Sequence, residues 1–251
     1  MKKLSVVIPA YNEAERIKPT LHEYMDFFSK HFSDFEFIIV VEGTDNTLEI
    51  VKEFAKKDKR VKYFYSKERL GKGGAVIKGF KLATGDCVGF VDADGSTKPE
   101  AFSQLINTLK NCDGAIASRR VKGAKLLKKE PLLQRIGSRG FNILIRTLFL
   151  LPFKDTQCGA KIFKRQVVDV ILAEIGITEF AFDIDLLFRA YKNGFKINEL
   201  PTVWEYKTGA QFNFSRWFAR LVPEMFLSVL RLRLLHSPLT KLVKVYDLIA
   251  K

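Results

Sequence analysis

Cys87-Val88-Gly89-Phe90-Val91-Asp92-Ala93-Asp94-Gly95-Ser96 decides how the chain is read. Five apolar or glycine residues run into two carboxylates, the pattern of a buried strand with charge at its carboxyl end. Like charges there repel, and neither can be buried ionised without a partner. A divalent cation is the natural partner, because Mg²⁺ and Mn²⁺ prefer carboxylate oxygen and also take oxygens from a diphosphate. Asp92 and Asp94 are therefore candidates for a metal–diphosphate site. A plain Asp-Gly turn is the competing reading.

On either side, apolar runs alternate with helical patterns. Leu4–Pro9, Phe35–Val41, Val61–Tyr65 and Gly114–Ser118 read as further strands. Glu13–Lys30, Thr47–Lys57, Lys72–Ala83 and Pro99–Lys110 read as the helices between them. This alternation predicts βαβ units: an α/β protein with a Rossmann-like, mostly parallel sheet and helices on both faces. Ligands in such sheets bind beyond the carboxyl ends of the strands. The loops 10–13, 42–47, 66–74 and 92–96 meet there.

The second half changes character. Asp155–Phe163 is a polar loop running into a short strand, Glu179–Asn193 a helix, and Phe195–Leu200 and Thr202–Tyr206 further strands. The expected organisation is one domain over 1–209 in two halves, 1–118 and 119–209. An amphipathic helical tail over 210–251 follows.

The totals bound the possibilities. A chain of 251 residues with 47% hydrophobic content builds a real core. Cys87, Cys112 and Cys158 lack metal-ligand spacing and leave an odd count, which fits free thiols in a reducing compartment. The start, Met1-Lys2-Lys3-Leu4, lacks the pattern of a signal peptide. No apolar run reaches the roughly 18 residues of a transmembrane helix. Net charge is +14, concentrated in 119–146 and 207–244. Nucleic acid, an anionic membrane or a polyphosphate ligand each suit such charge. No nucleic-acid motif appears, and a basic nucleic-acid-binding module is the non-enzyme alternative.

Five stretches in order resemble the family 2 inverting glycosyltransferases of GT-A fold. They are Ser5-Val-Val-Ile-Pro-Ala-Tyr-Asn-Glu13, Gly71-Lys-Gly-Gly-Ala-Val-Ile-Lys-Gly79, Phe90-Val-Asp-Ala-Asp-Gly-Ser96, Asp155-Thr-Gln-Cys-Gly-Ala-Lys161 and Phe182-Asp-Ile-Asp-Leu-Leu187. Within the family the chain resembles the polyprenyl-phosphate hexose synthases. The Asp-Ala-Asp-Gly-Ser form is most like the dolichyl-phosphate β-glucosyltransferase branch; the mannosyl branch, using GDP-mannose, is the alternative, as is a soluble acceptor. The resemblance implies transfer of glucose from UDP-glucose to dolichyl or another polyprenyl phosphate with Mg²⁺ or Mn²⁺. The expected setting is the cytoplasmic face of a membrane, held peripherally.

It also implies roles. Pro9, Tyr11 and Glu13 hold base and ribose, with a first-turn helix residue as the plainer reading of Glu13. Glu42 stands where the family usually has Asp-Asp-Gly-Ser and takes the nucleoside role, while Thr44 or Asp45 can instead cap the next helix. Lys72 steers the diphosphate beside glycines that let backbone and a helix start approach an anion, or that simply turn the chain. Asp92 and Asp94 bind the metal, Ser96 adds a weak or water-mediated ligand, and Arg119 contacts phosphate, with Arg120 a neighbour.

An alcohol acceptor needs a general base, for which Asp183 or Asp185 would serve. A lipid monophosphate, with a second pKa of about 6, needs cations instead. Arg135, Ser138 and Arg139 form the candidate clamp, and the two arginines are four apart on one helix face. A solvated basic face is the alternative. Asp183 is assigned to orienting donor sugar or acceptor, with base function as the alternative. Phe141–Phe153 and the Arg-, Trp-, Phe- and Leu-rich tail are expected to dock on an anionic membrane, or else to pack on the core or a second subunit.

Overall fold

Strands form where β-branched and aromatic residues run together, and every residue of Phe35–Glu42 is buried. A strand covered on both faces needs helices above and below it, and the chain supplies them in turn. The computed structural model describes residues 3–128, 132–175, 181–205 and 222–237. Its elements are β1 (Leu4–Tyr11), α1 (Ala14–His31), β2 (Phe35–Glu42), α2 (Thr47–Lys57), β3 (Val61–Ser66), α3 (Gly71–Leu82), β4 (Cys87–Val91) and α4 (Pro99–Thr108). There follow β5 (Gly114–Ser118), β6 (Lys125–Lys128), α5 (Leu132–Phe149), β7 (Ala160–Lys164), α6 (Arg165–Glu174), α7 (Phe182–Lys192), β8 (Ile197–Pro201), β9 (Val203–Glu205) and α8 (Val222–Leu235).

Seven strands make the main sheet in the order β3-β2-β1-β4-β7-β5-β8. Alternation along β1 separates two cores. Val6, Ile8 and Ala10 face α1, α2 and α4, where Tyr24, Phe28, Phe37 and Phe102 pack. Val7 faces the other way, with Phe80, Phe90, Ile145, Phe149, Phe182 and Leu232 of α3, β4, α5, α7 and α8. Each such side chain contributes about 1.5–3 kcal/mol on burial.

The sheet is parallel except at β7, which runs antiparallel to β4 and β5. This departs from the simple alternation. The chain leaves β5 at the carboxyl end of the sheet and re-enters at that same end, with Ala160 opposite Val91. β6 and β9 form a second, two-stranded sheet at that end. Helix α5 begins well before the apolar run at Phe141 and carries Arg135 and Arg139. Helix α6 was not expected.

The expected tail is described only over 222–237. There Val229 and Leu232 are buried in the second core, and His236 reaches Asp185 at 3.1 Å. Phe226, Leu227 and Leu230 of the same helix are exposed. The predicted stretches 206–221 and 238–251 lie outside the described residues, as do 179 and 180 at the start of the expected helix. No helix among the described residues is long and apolar enough to cross a membrane.

Candidate functional site

Asp92 directly follows β4, at the carboxyl end of the sheet. Its backbone N–H donates to the Gly159 carbonyl at 3.0 Å. A Cβ on Gly159 would lie 1.8 Å from Asp92 Oδ2, so this carboxylate has room only because residue 159 has no side chain. Gly95, at φ +68°, turns the chain after Asp94, and Ser96 N–H donates to Asp94 Oδ1 at 2.9 Å.

Two lysines complete this centre. Lys72, in the first turn of α3, sits 2.9 Å from Asp92 Oδ1 and 3.6 Å from Asp183 Oδ2. Lys161, fully buried in β7, lies 2.6 Å from Asp183 Oδ1 and donates to the Cys158 carbonyl at 2.8 Å. Asp183 itself occupies the first turn of α7, where the helix dipole favours an acid. Burial pushes the Asp183 carboxyl up, but Lys161 and Lys72 outweigh it and hold the group below the usual range. Burial raises Asp92; Lys72 works against this and Asp94 with it, and the net shift is upward. Burial would lower Lys72, but Asp183 and Asp92 raise it further than burial lowers it. Burial pushes the Cys158 thiol up to about 12, leaving it inert.

Beside these groups is a cavity of about 340 Å³. Pro9, Tyr11, Glu13, Glu42, Lys72, Asp92 and Asp94 all line it, so the loops expected to meet do converge. Arg69 lies over the Tyr11 ring at 4.2 Å. Arg16 pairs with Glu13 at 2.6 Å. Burial raises the Glu13 carboxyl, and Asp94 and Asp92 add to this against the pull of Arg16. Glu42 is buried, and its Oε2 accepts from Leu70 and Gly71 N–H at 2.6 and 3.2 Å. Part of the helix start expected to face an anion is thus taken by Glu42. Asp45 accepts from the N–H groups of Thr47 and Ala14, so it caps.

Arg119 and Ser96 do not line this cavity. The Ser96 hydroxyl is buried and has no hydrogen-bond partner among the described residues. Arg119 instead donates to fully buried Asp155 from N, Nε and a terminal nitrogen, at 3.0, 2.8 and 3.0 Å. Burial raises Asp155, but Arg119 overcomes it and holds the carboxyl below its usual range. Glu199 fixes the Asp155 loop by accepting from the Lys154 and Asp155 N–H groups.

Arg119 lines a second cavity, of about 440 Å³, together with Arg120, Arg135, Ser138, Arg139, Arg146 and Lys154. Leu126, Ile143 and Trp204 form its apolar walls. Arg120 donates to both the carbonyl and the hydroxyl of Ser138 at 3.0 Å. The expected clamp residues therefore do come together, and Arg146, Lys154 and Trp204 join them unforeseen. Lys161 was also missed as a site residue; a lysine inside a buried apolar strand was the available signal.

Two carboxylates with hard oxygen donors, one pushed toward protonation by burial and by its neighbour, fit a divalent ion shared with a diphosphate. No group of three or more potential ligand side chains exists among the described residues, so the ligand would have to complete the coordination.

This sheet order, with an Asp-Xaa-Asp pair at the end of its central strand, defines a GT-A fold. The chain belongs to the family described as Glycosyl transferase family 2, whose profile matches residues 5–172. It is 33% identical over 211 residues to a dolichyl-phosphate beta-glucosyltransferase of Trichomonas vaginalis, covering 79% of this chain and 62% of that protein. It is 30% identical to glycosyltransferase AglD of Haloferax volcanii, covering 85% of this chain and 35% of that one. The chain thus spans only part of the length of these relatives. A solved structure of glucosyl-3-phosphoglycerate synthase from Mycobacterium tuberculosis, in complex with Mn²⁺, UDP-glucose and phosphoglyceric acid, superposes with a TM-score of 0.67. Identity there is 15%, over 92% of this chain and 80% of that one, a likeness of fold.

Proposed function

We propose that the protein is an inverting glycosyltransferase that moves glucose from UDP-glucose to a polyprenyl phosphate such as dolichyl phosphate. One observation carries this. Among the described residues, six cationic side chains and apolar walls line the second cavity, and no carboxylate or imidazole does. An alcohol acceptor would need a base there. A phosphomonoester, with a second pKa of about 6, arrives ionised and needs only to be held. Arg135 and Arg139 hold it, since guanidinium binds phosphate bidentately.

The donor lies in the first cavity, its base against Tyr11 and its ribose near Glu13 and Glu42. Asp92 and Asp94 would hold Mg²⁺ or Mn²⁺, which would offset charge on the departing diphosphate. Lys72 adds a cation beside Asp92. An acceptor phosphate oxygen bonds to the anomeric carbon as the bond to the diphosphate oxygen breaks. UDP leaves with the electron pair and the anomer inverts. Asp183, kept ionised by Lys161 and Lys72, orients sugar or acceptor and takes no proton. The similarity to a dolichyl-phosphate beta-glucosyltransferase supports the choice of sugar and acceptor.

A lipid acceptor requires docking on a membrane, here assigned to its cytoplasmic face. Exposed Ile136 and Ile143 on α5 support this, as do Phe226, Leu227 and Leu230 on α8. Anionic vesicles should float wild type and recover less of Ile136→Asp/Ile143→Asp; equal recovery contradicts the docking. Dolichyl phosphate and dolichol, compared as acceptors, test the reaction. Transfer to the phosphate alone is expected, and equal transfer to the alcohol overturns the reading.

A further inference from the structure

Trp204 lines the basic cavity and is tied through its backbone to the loop that follows Asp94. Its backbone forms an antiparallel bridge with Thr97, in the loop that follows Asp94. The next N–H, of Glu205, donates to the Ser96 carbonyl at 3.3 Å. On its other side Trp204 pairs with Leu126 in the β6–β9 ladder. The indole lines the basic cavity, and the Arg119 guanidinium stands over it at 5.2 Å. Asp155 holds that guanidinium through hydrogen bonds from Nε and a terminal nitrogen, and the Arg119 backbone N–H donates to the same carboxylate, so the indole is braced by an anchored group.

Phosphate alone gives these walls nothing to do. The arginines satisfy its oxygens, while Leu126, Ile143 and the ring face of Trp204 offer apolar surface. Such a wall is useful when the group carrying the phosphate is hydrocarbon. We infer that Trp204 is a specificity-determining residue: with Leu126 and Ile143 it reads the first hydrocarbon unit attached to the acceptor phosphate. Its backbone keeps that wall in register with the Asp92–Ser96 loop. The inference rests on reading the basic cavity as the acceptor site, but it assigns a task that phosphate recognition does not include.

The test compares two acceptors of equal charge, geranyl phosphate and glycerol phosphate, with wild type, Trp204→Ala and Trp204→Phe of the full chain. Loss of even one methylene of apolar contact changes discrimination by about 10- to 200-fold. Trp204→Ala should raise KM for geranyl phosphate about tenfold or more. The readout is the ratio of the two acceptors' KM values, which Trp204→Ala should collapse whatever loss the two acceptors share, and Trp204→Phe should keep most of the preference. Equal losses for both acceptors, or no change for either, overturn the inference. Calorimetric titration of the same two phosphates provides a readout that needs no turnover. Wild-type binding of geranyl phosphate no tighter than glycerol phosphate also overturns it, whether or not sugar is transferred. Wild-type binding that favours geranyl phosphate, with no transfer to any phosphate, instead defeats the proposed reaction and leaves the assignment of Trp204 standing.

Discussion

Lys161 and Asp183 form a buried ion pair 2.6 Å long that joins the inserted antiparallel strand β7 to the first turn of α7. The pair sets the character of the centre. Removing one partner of a buried pair strands the other charge and destabilises by about 3–5 kcal/mol, whereas replacing both is far milder. Lys161→Met leaves Asp183 with Lys72 alone, at 3.6 Å, so stability in urea should fall by up to that amount. Lys161→Met combined with Asp183→Asn should recover much of it while staying inactive. A single variant as stable as wild type would show that the pair carries no such role.

Gly159 offers a sharper probe, because the three atoms nearest to a Cβ there all belong to the Asp92 carboxylate. A methyl group there meets Asp92 Oδ2 at 1.8 Å, so the carboxylate must move. Displacements of about 1 Å in a catalytic arrangement reduce rates by about 100-fold. Gly159→Ala should lose about that much kcat with its far-ultraviolet circular dichroism unchanged. Full activity would mean that Asp92 does not position the reaction.

Much of this centre was legible in the sequence, and the reason is local. The bounds of α2, β4 and β5 are those the apolar pattern gives, because strand and helix periodicity is strong in short uninterrupted runs. The convergence of Tyr11, Glu13, Glu42, Lys72 and Asp92 follows from parallel topology, which gathers loops at one end. Long-range facts were not legible. The direction of β7 depends on where residues 119–159 lie. The capture of Arg119 by Asp155, which takes it out of the donor cavity, depends on a partner 36 positions away. Helix α6 starts directly after β7, at Arg165, with no glycine or proline to announce it.

Arg139→Ala tests the acceptor cavity. A hydrogen bond to a charged group contributes about 1.5–3 kcal/mol, so KM for dolichyl phosphate should rise about 10- to 100-fold while KM for UDP-glucose holds. Arg135→Ala should behave alike. A rise in the donor KM instead would move these residues to the other cavity.

Glu36 supplies a pH-dependent check on the fold. Burial raises its carboxyl, but hydrogen bonds from Lys62, Ser5 and Thr84 prevail and bring it to about 2, against an ordinary 4.5. A carboxyl depressed on folding adds stability that is complete above about 4.5 and is lost as pH falls toward 2. Glu36→Gln should therefore be less stable at neutral pH by about 1.5–3 kcal/mol. Its deficit in urea unfolding should shrink steadily below pH 4.5. A deficit independent of pH would contradict the assignment.

The most direct measurement supplies radiolabelled UDP-glucose and GDP-mannose in parallel to dolichyl phosphate, with and without EDTA. The account predicts a labelled lipid from UDP-glucose that disappears with EDTA, returns with Mg²⁺ or Mn²⁺, and is absent for Asp94→Ala. Label moving only from GDP-mannose, or transfer indifferent to EDTA and to Asp94→Ala, would contradict it.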